Sequence, residues 1–189
     1  MPAGKLATYS DLSAPPEHVR AEIVGGGIHN LPPFLPRHGW VVRTLGSYIG
    51  GPFDDDHAPG GPGGWWILPG LDVELDKHDV VRPDLEGWRR ERLSKPWDER
   101  AITVRPDWVC EVLSPSNARH DRVTKSALYA RHGIPFYWVI DPAERTLEAY
   151  VLDGERWKLG GSWTDDAVAR IPPFEAIELE LKRLFPPEE

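Results

Sequence analysis

The sequence predicts a mixed α/β (α+β) fold, a central mixed β-sheet flanked by helices with an additional C-terminal β-hairpin, in one domain spanning residues 1–189. Three observations carry this. Short apolar segments dominate the middle of the chain, one long helical pattern separates two of the most apolar of them, and a hairpin signal follows near the end. A length of 189 residues with 40% hydrophobic and 28% charged content suits a single globular core.

From the N-terminus, "PPEHVRAEIVGGGIHNL" reads as a short helix from Pro16, an apolar turn around Ile23 and a break at Gly25, Gly26 and Gly27. "RHGWVVRTLGSYIGG" reads as a helix with Trp40, Val41, Leu45 and Tyr48 on one stripe, ending at Gly50 and Gly51. The loop "PFDDDHAPGGPGG" holds Asp54, Asp55, Asp56 and His57, a set of metal-ligand types that in a glycine-rich loop reads first as a solvated turn. Three strand-like segments follow: "GWWILPGLDVEL", a short one in "HDVVRPDLEGW" centred on residues 80–85, and "ITVRPDWVCEVL". A helix is expected from about Asn117 to His132, capped by Ser116 or Asn117 and closed by Gly133, with Val123, Ala127 and Ala130 as its apolar stripe. "IPFYWVIDP" reads as a buried strand, "RTLEAYVLDGERWKLGG" as a hairpin turning at Asp153 and Gly154, and "FEAIELELKRLF" as the last apolar stretch.

Composition narrows the function classes. No stretch has the roughly 18–20 apolar residues of a membrane span, and "MPAGKLATYSDL" has no apolar export signal. The lone Cys110 excludes an intrachain disulfide, so the expected location is a reducing cytoplasm. The net charge of −8 weighs against a dedicated nucleic-acid binder. Residues 82–131 nevertheless carry 11 Lys/Arg against 8 Asp/Glu, a surplus of three positive charges.

That segment contains the chemistry. Glu111 interrupts the apolar run Trp108, Val109, Cys110, Val112, Leu113, and a buried carboxylate needs a partner, a proton or a metal. Asp84 and Asp107 each follow Arg-Pro. Asp107 lies four residues before Glu111, roughly 13–14 Å along an extended strand and too far to share an ion with it. Asp84, on a neighbouring strand about 4.8 Å away, can lie beside Glu111. Two such carboxylates would suit a hard cation of the Mg²⁺ type, with Lys125 on the following helix pointing back and Asp121 one turn before it. Acids, metal and lysine are the parts of phosphodiester hydrolysis. The same residues would equally serve a structural Glu111–Lys125 ion pair, with Asp84 a turn residue.

The stretch "RPDWVCEVLSPSNARHDRVTKSALYARHGIPFYWVIDPAERTLEAYVL" resembles the Uma2 family. Residues 111–116 supply EVLSPS, Asp121 and Lys125 the D-x-x-x-K step, and residues 137–142 the YWVIDP strand, while "VVRPDLEGWRRERL" is similar to the family's other PD strand and "AEIVGGGI" to a diverged form of its opening. The resemblance covers residues 15–185. It implies a PD-(D/E)xK, restriction-endonuclease-like core in which Asp84 is the motif aspartate and Glu111 the second acid. Leu113 stands where the motif places lysine, so that role passes to Lys125. Glu22 is implied as an auxiliary acid reaching the metal from the first helix, with Gly27 where the second opening acid would fall. The activity implied is that of a Mg²⁺- or Mn²⁺-dependent endonuclease acting on DNA, with catalytic Asp84, Glu111 and Lys125, metal ligands Asp84 and Glu111, and a homodimer by analogy. The alternative is an inactive nuclease-fold protein serving as a binding or regulatory module.

Overall fold

The structure, a computed structural model, describes residues 5–12, 20–54 and 61–187. In chain order its elements begin with a short helix α1 (Tyr9–Leu12), strands β1 (Ala21–Val24) and β2 (Gly27–Asn30) and the long helix α2 (Pro36–Asp54). Strands β3 (Trp65–Leu68), β4 (Val73–Asp76), β5 (Asp79–Val81), β6 (Leu85–Arg89) and β7 (Trp108–Val112) come next. A π-helical turn (His120–Lys125) runs into α3 (Ser126–Arg131), and β8 (Phe136–Asp141), β9 (Thr146–Asp153), β10 (Arg156–Thr164), β11 (Val168–Ala169) and β12 (Leu179–Glu180) complete the list.

Strand β7 fixes the layering. All five of its residues are buried, so the strand is covered on both faces. The period of two sends Trp108, Cys110 and Val112 to one side, where they join α2 and the C-terminal segment in a core containing Trp65, Trp138 and Phe174. Phe174 sits among the indoles of Trp65, Trp108 and Trp138 at ring separations of 5.1, 5.1 and 5.6 Å. Val109 and Leu113 point the other way, towards Leu128, Tyr129 and Tyr137. Glu111 belongs to this second face.

The main sheet has the order β10-β9-β8-β7-β6-β3, with β7 and β8 parallel and the other neighbours antiparallel. The parallel pair needs a crossover connection, and the helical segment between them supplies it. The predicted C-terminal hairpin is present as β9 and β10, but it extends this sheet rather than standing apart from it.

A second, four-stranded sheet, β2-β1-β5-β4, was not foreseen. Its origin is the division of two segments that read as single strands. Pro69 and Gly70, the latter at φ +64°, split "GWWILPGLDVEL" into β3 and β4, and Pro83, which has no amide donor, splits "HDVVRPDLEGW" into β5 and β6. The result is one long hairpin that leaves the main sheet at 69–72, turns in the small sheet and returns at 82–84. The apolar turn expected around Ile23 is strand β1, with Ile23 fully buried opposite Val80. Pro16, the expected start of a first helix, lies outside the described residues, as do Asp55, Asp56 and His57.

Helix α2 buries His38, Val41, Leu45, Ile49 and Phe53. It runs past Gly50 and Gly51, because burial of Ile49 and Phe53 outweighs the helix cost of two glycines, about 1 kcal/mol each. Trp40, expected on the buried stripe, is 40% exposed. The expected stripe of the later helix is also displaced. Val123 is 62% exposed, and the buried face is Asp121, Lys125, Leu128 and Tyr129.

Two glycines test the packing. A Cβ on Gly87 would meet Ile67, Trp108 and Trp65 side chains at 3.1, 3.2 and 3.3 Å, whereas one on Gly50 meets nothing within 4 Å. Gly87→Ala is expected to destabilise by about 1–3 kcal/mol, and Gly50→Ala to stabilise by up to about 1 kcal/mol, both read from urea unfolding. A neutral Gly87→Ala would contradict the packing described.

Candidate active site

Where the hairpin's two arms pass between the sheets, and at the end of β7, backbone amides lack a strand partner, and carboxylates take them up. Glu22 on β1 accepts the Arg82 amide at 2.7 Å, Glu86 on β6 accepts the Leu71 amide at 2.8 Å, and Asp84 accepts the Val112 amide at 2.8 Å. Acids are thus gathered at one junction between the two sheets. The register sets Leu85 opposite Cys110, so one step further Asp84 comes opposite Glu111.

Lys125 closes the junction. Its side chain is 2% exposed, and Nζ lies 2.6 Å from Glu111 Oε1, 2.8 Å from Glu22 Oε1 and 4.0 Å from Asp121 Oδ1. The Tyr129 hydroxyl donates to the same Glu111 oxygen. His120 Nε2 stands 3.4 Å from Glu22 Oε2, in ion-pair range but not aligned as a hydrogen bond. On the far side His38 Nε2 is 3.0 Å from Asp84 Oδ2.

The π turn explains how one helix delivers three of these groups. In an uninterrupted α-helix, eight residues overshoot two turns by about 80°. The wider turn, marked by the Ser126 amide bonding to the Asp121 carbonyl five residues back, absorbs that drift, so Asp121, Lys125 and Tyr129 all face inward.

The electrostatics follow from four buried carboxyls around one ammonium. Burial acts to lower the Lys125 pKa, but Glu111, Glu22, Asp121 and Asp84 hold it above the ordinary lysine range, so it stays charged. Burial acts to raise Glu22, and Lys125, His120 and the Arg82 amide outweigh it, bringing the carboxyl down to about 2. Glu111 goes the other way: burial pushes it well above the usual range, Lys125 opposes, and Asp121, Asp84 and Glu22 add to the rise. Asp121 is raised to about 6, by burial first and then by its acidic neighbours against the pull of Lys125. One ammonium cannot neutralise four acids, and the remaining negative charge calls for protons or a further cation.

The donor set fits a hard divalent ion. Oδ2 of Asp84 and Oε1 of Glu111 are fixed by their neighbours, while Oδ1 and Oε2 accept no hydrogen bond among the described residues. Both side chains line a cleft with about 20 Å³ of free space, room for one water-sized occupant. Mg²⁺ commonly takes one or two carboxylates and completes its shell with water and phosphate. Among the described residues a tighter group of metal-ligand types, Asp76, Asp79 and His132, lies elsewhere, but Arg131 and the Gly25 amide already bind Asp79 there.

Asp84, Glu111, Lys125 and Glu22 are therefore brought together, with one correction: Glu22 reaches the site from strand β1, not from a helix. Asp107 is outside it, bound by the Arg92 side chain and the Arg89 amide. Leu113, at the usual lysine position, packs in the core. Of the other participants, Tyr129 stands in the YARHG stretch of the recognised motif without an assigned role. His38 belongs to the buried stripe of α2 but lies two residues before Trp40, the first residue of the predicted stripe.

The model of the family Uma2, described as "Putative restriction endonuclease", matches residues 6–182. This chain belongs to the Uma2 family. Among solved structures it is similar to "a putative nuclease belonging to DUF820 from Anabaena variabilis ATCC 29413", with a TM-score of 0.75 and 21% identity over 94% of this chain and 97% of that one. Comparison with curated proteins returned no match. Asp84, Glu111 and Lys125 thus meet at one junction in a chain of the Uma2 family.

Asp121 offers a test with a definite sign. Its folded pKa of about 6 lies above the unbound 3.8, so the folded state holds extra protons in that window and ionising Asp121 costs stability as pH rises through it. Asp121→Asn is expected to gain about 1–3 kcal/mol at pH 7 and almost nothing below about pH 4. Urea unfolding at the two pH values measures this; a loss of stability at pH 7 would reverse the assignment of Asp121 as a strained acid.

Proposed function

We propose that the protein is a Mg²⁺- or Mn²⁺-dependent endonuclease hydrolysing DNA phosphodiester bonds, with Asp84 and Glu111 as metal ligands and Lys125 as the catalytic cation. The observation that carries this reading is the meeting of Lys125 with Glu111 at 2.6 Å in the cleft that Asp84 also lines, at the three positions the family motif marks. A divalent ion bound there supplies a Lewis acid that lowers the pKa of a water and draws charge from a phosphate oxygen.

The chain's own residues do the rest. Val112 and His38 hold Asp84 Oδ2, so its free oxygen is aimed without losing rotamer freedom on binding. Tyr129 and Lys125 do the same for Glu111. Lys125 is kept charged by its surroundings and is placed to orient a water or to stabilise charge on the phosphate. Glu22 and Asp121 anchor it within the cleft.

The alternative, a fold retained for binding without catalysis, draws on Lys125 being gripped by two carboxylates as a buried ion cluster. Incubation of DNA with protein and Mg²⁺ or Mn²⁺ separates them. Cleavage is expected, and Asp84→Asn and Glu111→Gln should each reduce it by at least about 10³-fold, the loss of several kcal/mol of transition-state stabilisation. Metal-independent binding with no cleavage by the wild-type protein would favour the alternative.

Lys125→Ala separates the cation's two roles. Removing the ammonium leaves Glu22 and Glu111 buried and unpaired, a cost of about 3–5 kcal/mol without metal. Mg²⁺ should therefore raise the melting temperature of Lys125→Ala more than that of wild type, while single-turnover cleavage falls strongly. Equal metal-induced shifts would show that Lys125 and the ion do not share Glu111.

A further inference from the structure

A cavity of about 440 Å³ opens on the α2 side of Asp84. It is separate from the narrow cleft, yet Arg20, Phe34, His38 and Asp84 line both, so the two spaces meet along these four residues. Its walls are largely apolar, with Val42, Ile67 and Leu85 among them, and its trough is open because Gly39 and Gly46 present no side chain. Spaces of this size and lining take small organic ligands rather than water alone.

Two groups at the shared boundary can still donate or accept hydrogen bonds. The Arg20 guanidinium lies 4.0 Å over the Phe34 ring, which itself stacks on His38 with ring centres 4.0 Å apart and planes 9° apart. The stack fixes the guanidinium plane; Asp84 and Glu22 act on its charge, but among the described residues it makes no hydrogen bond and no close ion pair. Arg82, by contrast, is bound to Asp72. His38, 3% exposed, has Nε2 on Asp84 while its buried Nδ1 has no partner. A fixed arginine fork, open to a ligand and lining an apolar cavity, matches a phosphate joined to a flat ring.

We propose that this cavity is a subsite for one unpaired nucleobase of the DNA strand, with Arg20 binding the phosphate next to the scissile one. The inference rests on the nuclease reading of the adjoining cleft and specifies its substrate class: single-stranded DNA, or DNA with an unpaired nucleotide. A base held in a duplex cannot enter such a cavity without leaving its stack.

The test is binding without metal, so that nothing is cut, read by fluorescence anisotropy. One probe is an oligothymidylate of about 12 nucleotides, the other a sugar–phosphate strand of the same length without bases. The base-bearing strand is expected to bind roughly tenfold tighter, the size of one well-stacked base. Gly39→Phe, whose Cβ meets nothing within 4 Å, should fill the trough and bring the oligothymidylate down to the level of the base-free strand without changing Mn²⁺ titration. Arg20→Gln should weaken both strands and reduce the slope of log affinity against log salt by about one phosphate contact. Equal affinity of wild type for the two strands, or an unchanged preference in Gly39→Phe, overturns the subsite. The nuclease reading is tested apart from it. Base-dependent binding with no cleavage in Mg²⁺ or Mn²⁺ supports the subsite and refutes the catalysis. Cleavage of fully paired duplex at a rate unchanged in Gly39→Phe refutes the subsite and leaves the catalysis standing.

Discussion

The charge of Lys125 is the constraint on which the site depends. A buried ammonium without partners costs several kcal/mol, so the elements bearing its partners must meet around it. Glu22 comes from the small sheet, Glu111 from the main sheet and Asp121 from the turn before Lys125 itself. The ion cluster joins two sheets and a helix that no continuous strand pairing connects at this point. Its effect is uneven: Lys125, with His120 and the Arg82 amide, holds Glu22 ionised, while Glu111 and Asp121 stay raised. The acids therefore outnumber the charge that holds them, and this imbalance underlies the proposed metal site.

The bent hairpin explains why acids stand at this place. Where its arms pass from one sheet to the other, the amides of Leu71 and Arg82 have no strand partner, and beyond the end of β6 the amide of Val112 has none either. Unpaired buried amides are costly, and carboxylate oxygens satisfy them with strong, charge-assisted bonds. Asp84 and Glu22 each use one oxygen in this way. The structural duty of one oxygen thus fixes the orientation of the whole carboxylate.

Much of this was legible in the sequence. Glu111 was conspicuous because a carboxylate broke an apolar strand pattern, and Asp84 because strand spacing allowed it to stand beside Glu111. Lys125 stood out by its place on the helix after Glu111, and the family motif, with Leu113 at its lysine position, pointed to the same residue. What could not be read was the division of two apparent strands at Pro69 and Pro83. A proline marks a possible interruption, but only tertiary pairing decides whether the chain resumes in the same sheet. The helix face departs from the apolar pattern for a related reason. Apolar residues normally mark the buried side, yet here Val123 faces outward while Asp121 and Lys125 face inward, because pairing with Glu22 and Glu111 offsets their burial. The π turn, a departure from the 3.6-residue period, has no residue signature of its own.

Calorimetric titration of the wild-type protein and of Asp84→Ala with Mn²⁺ tests the central claim most directly. Two carboxylates sharing one ion predict a single site per chain in the wild-type protein and its loss in Asp84→Ala, with the folded structure retained. Binding that survives unchanged in Asp84→Ala, or no binding by the wild-type protein, would show that the acids of this junction serve only to hold Lys125 and the unpaired amides.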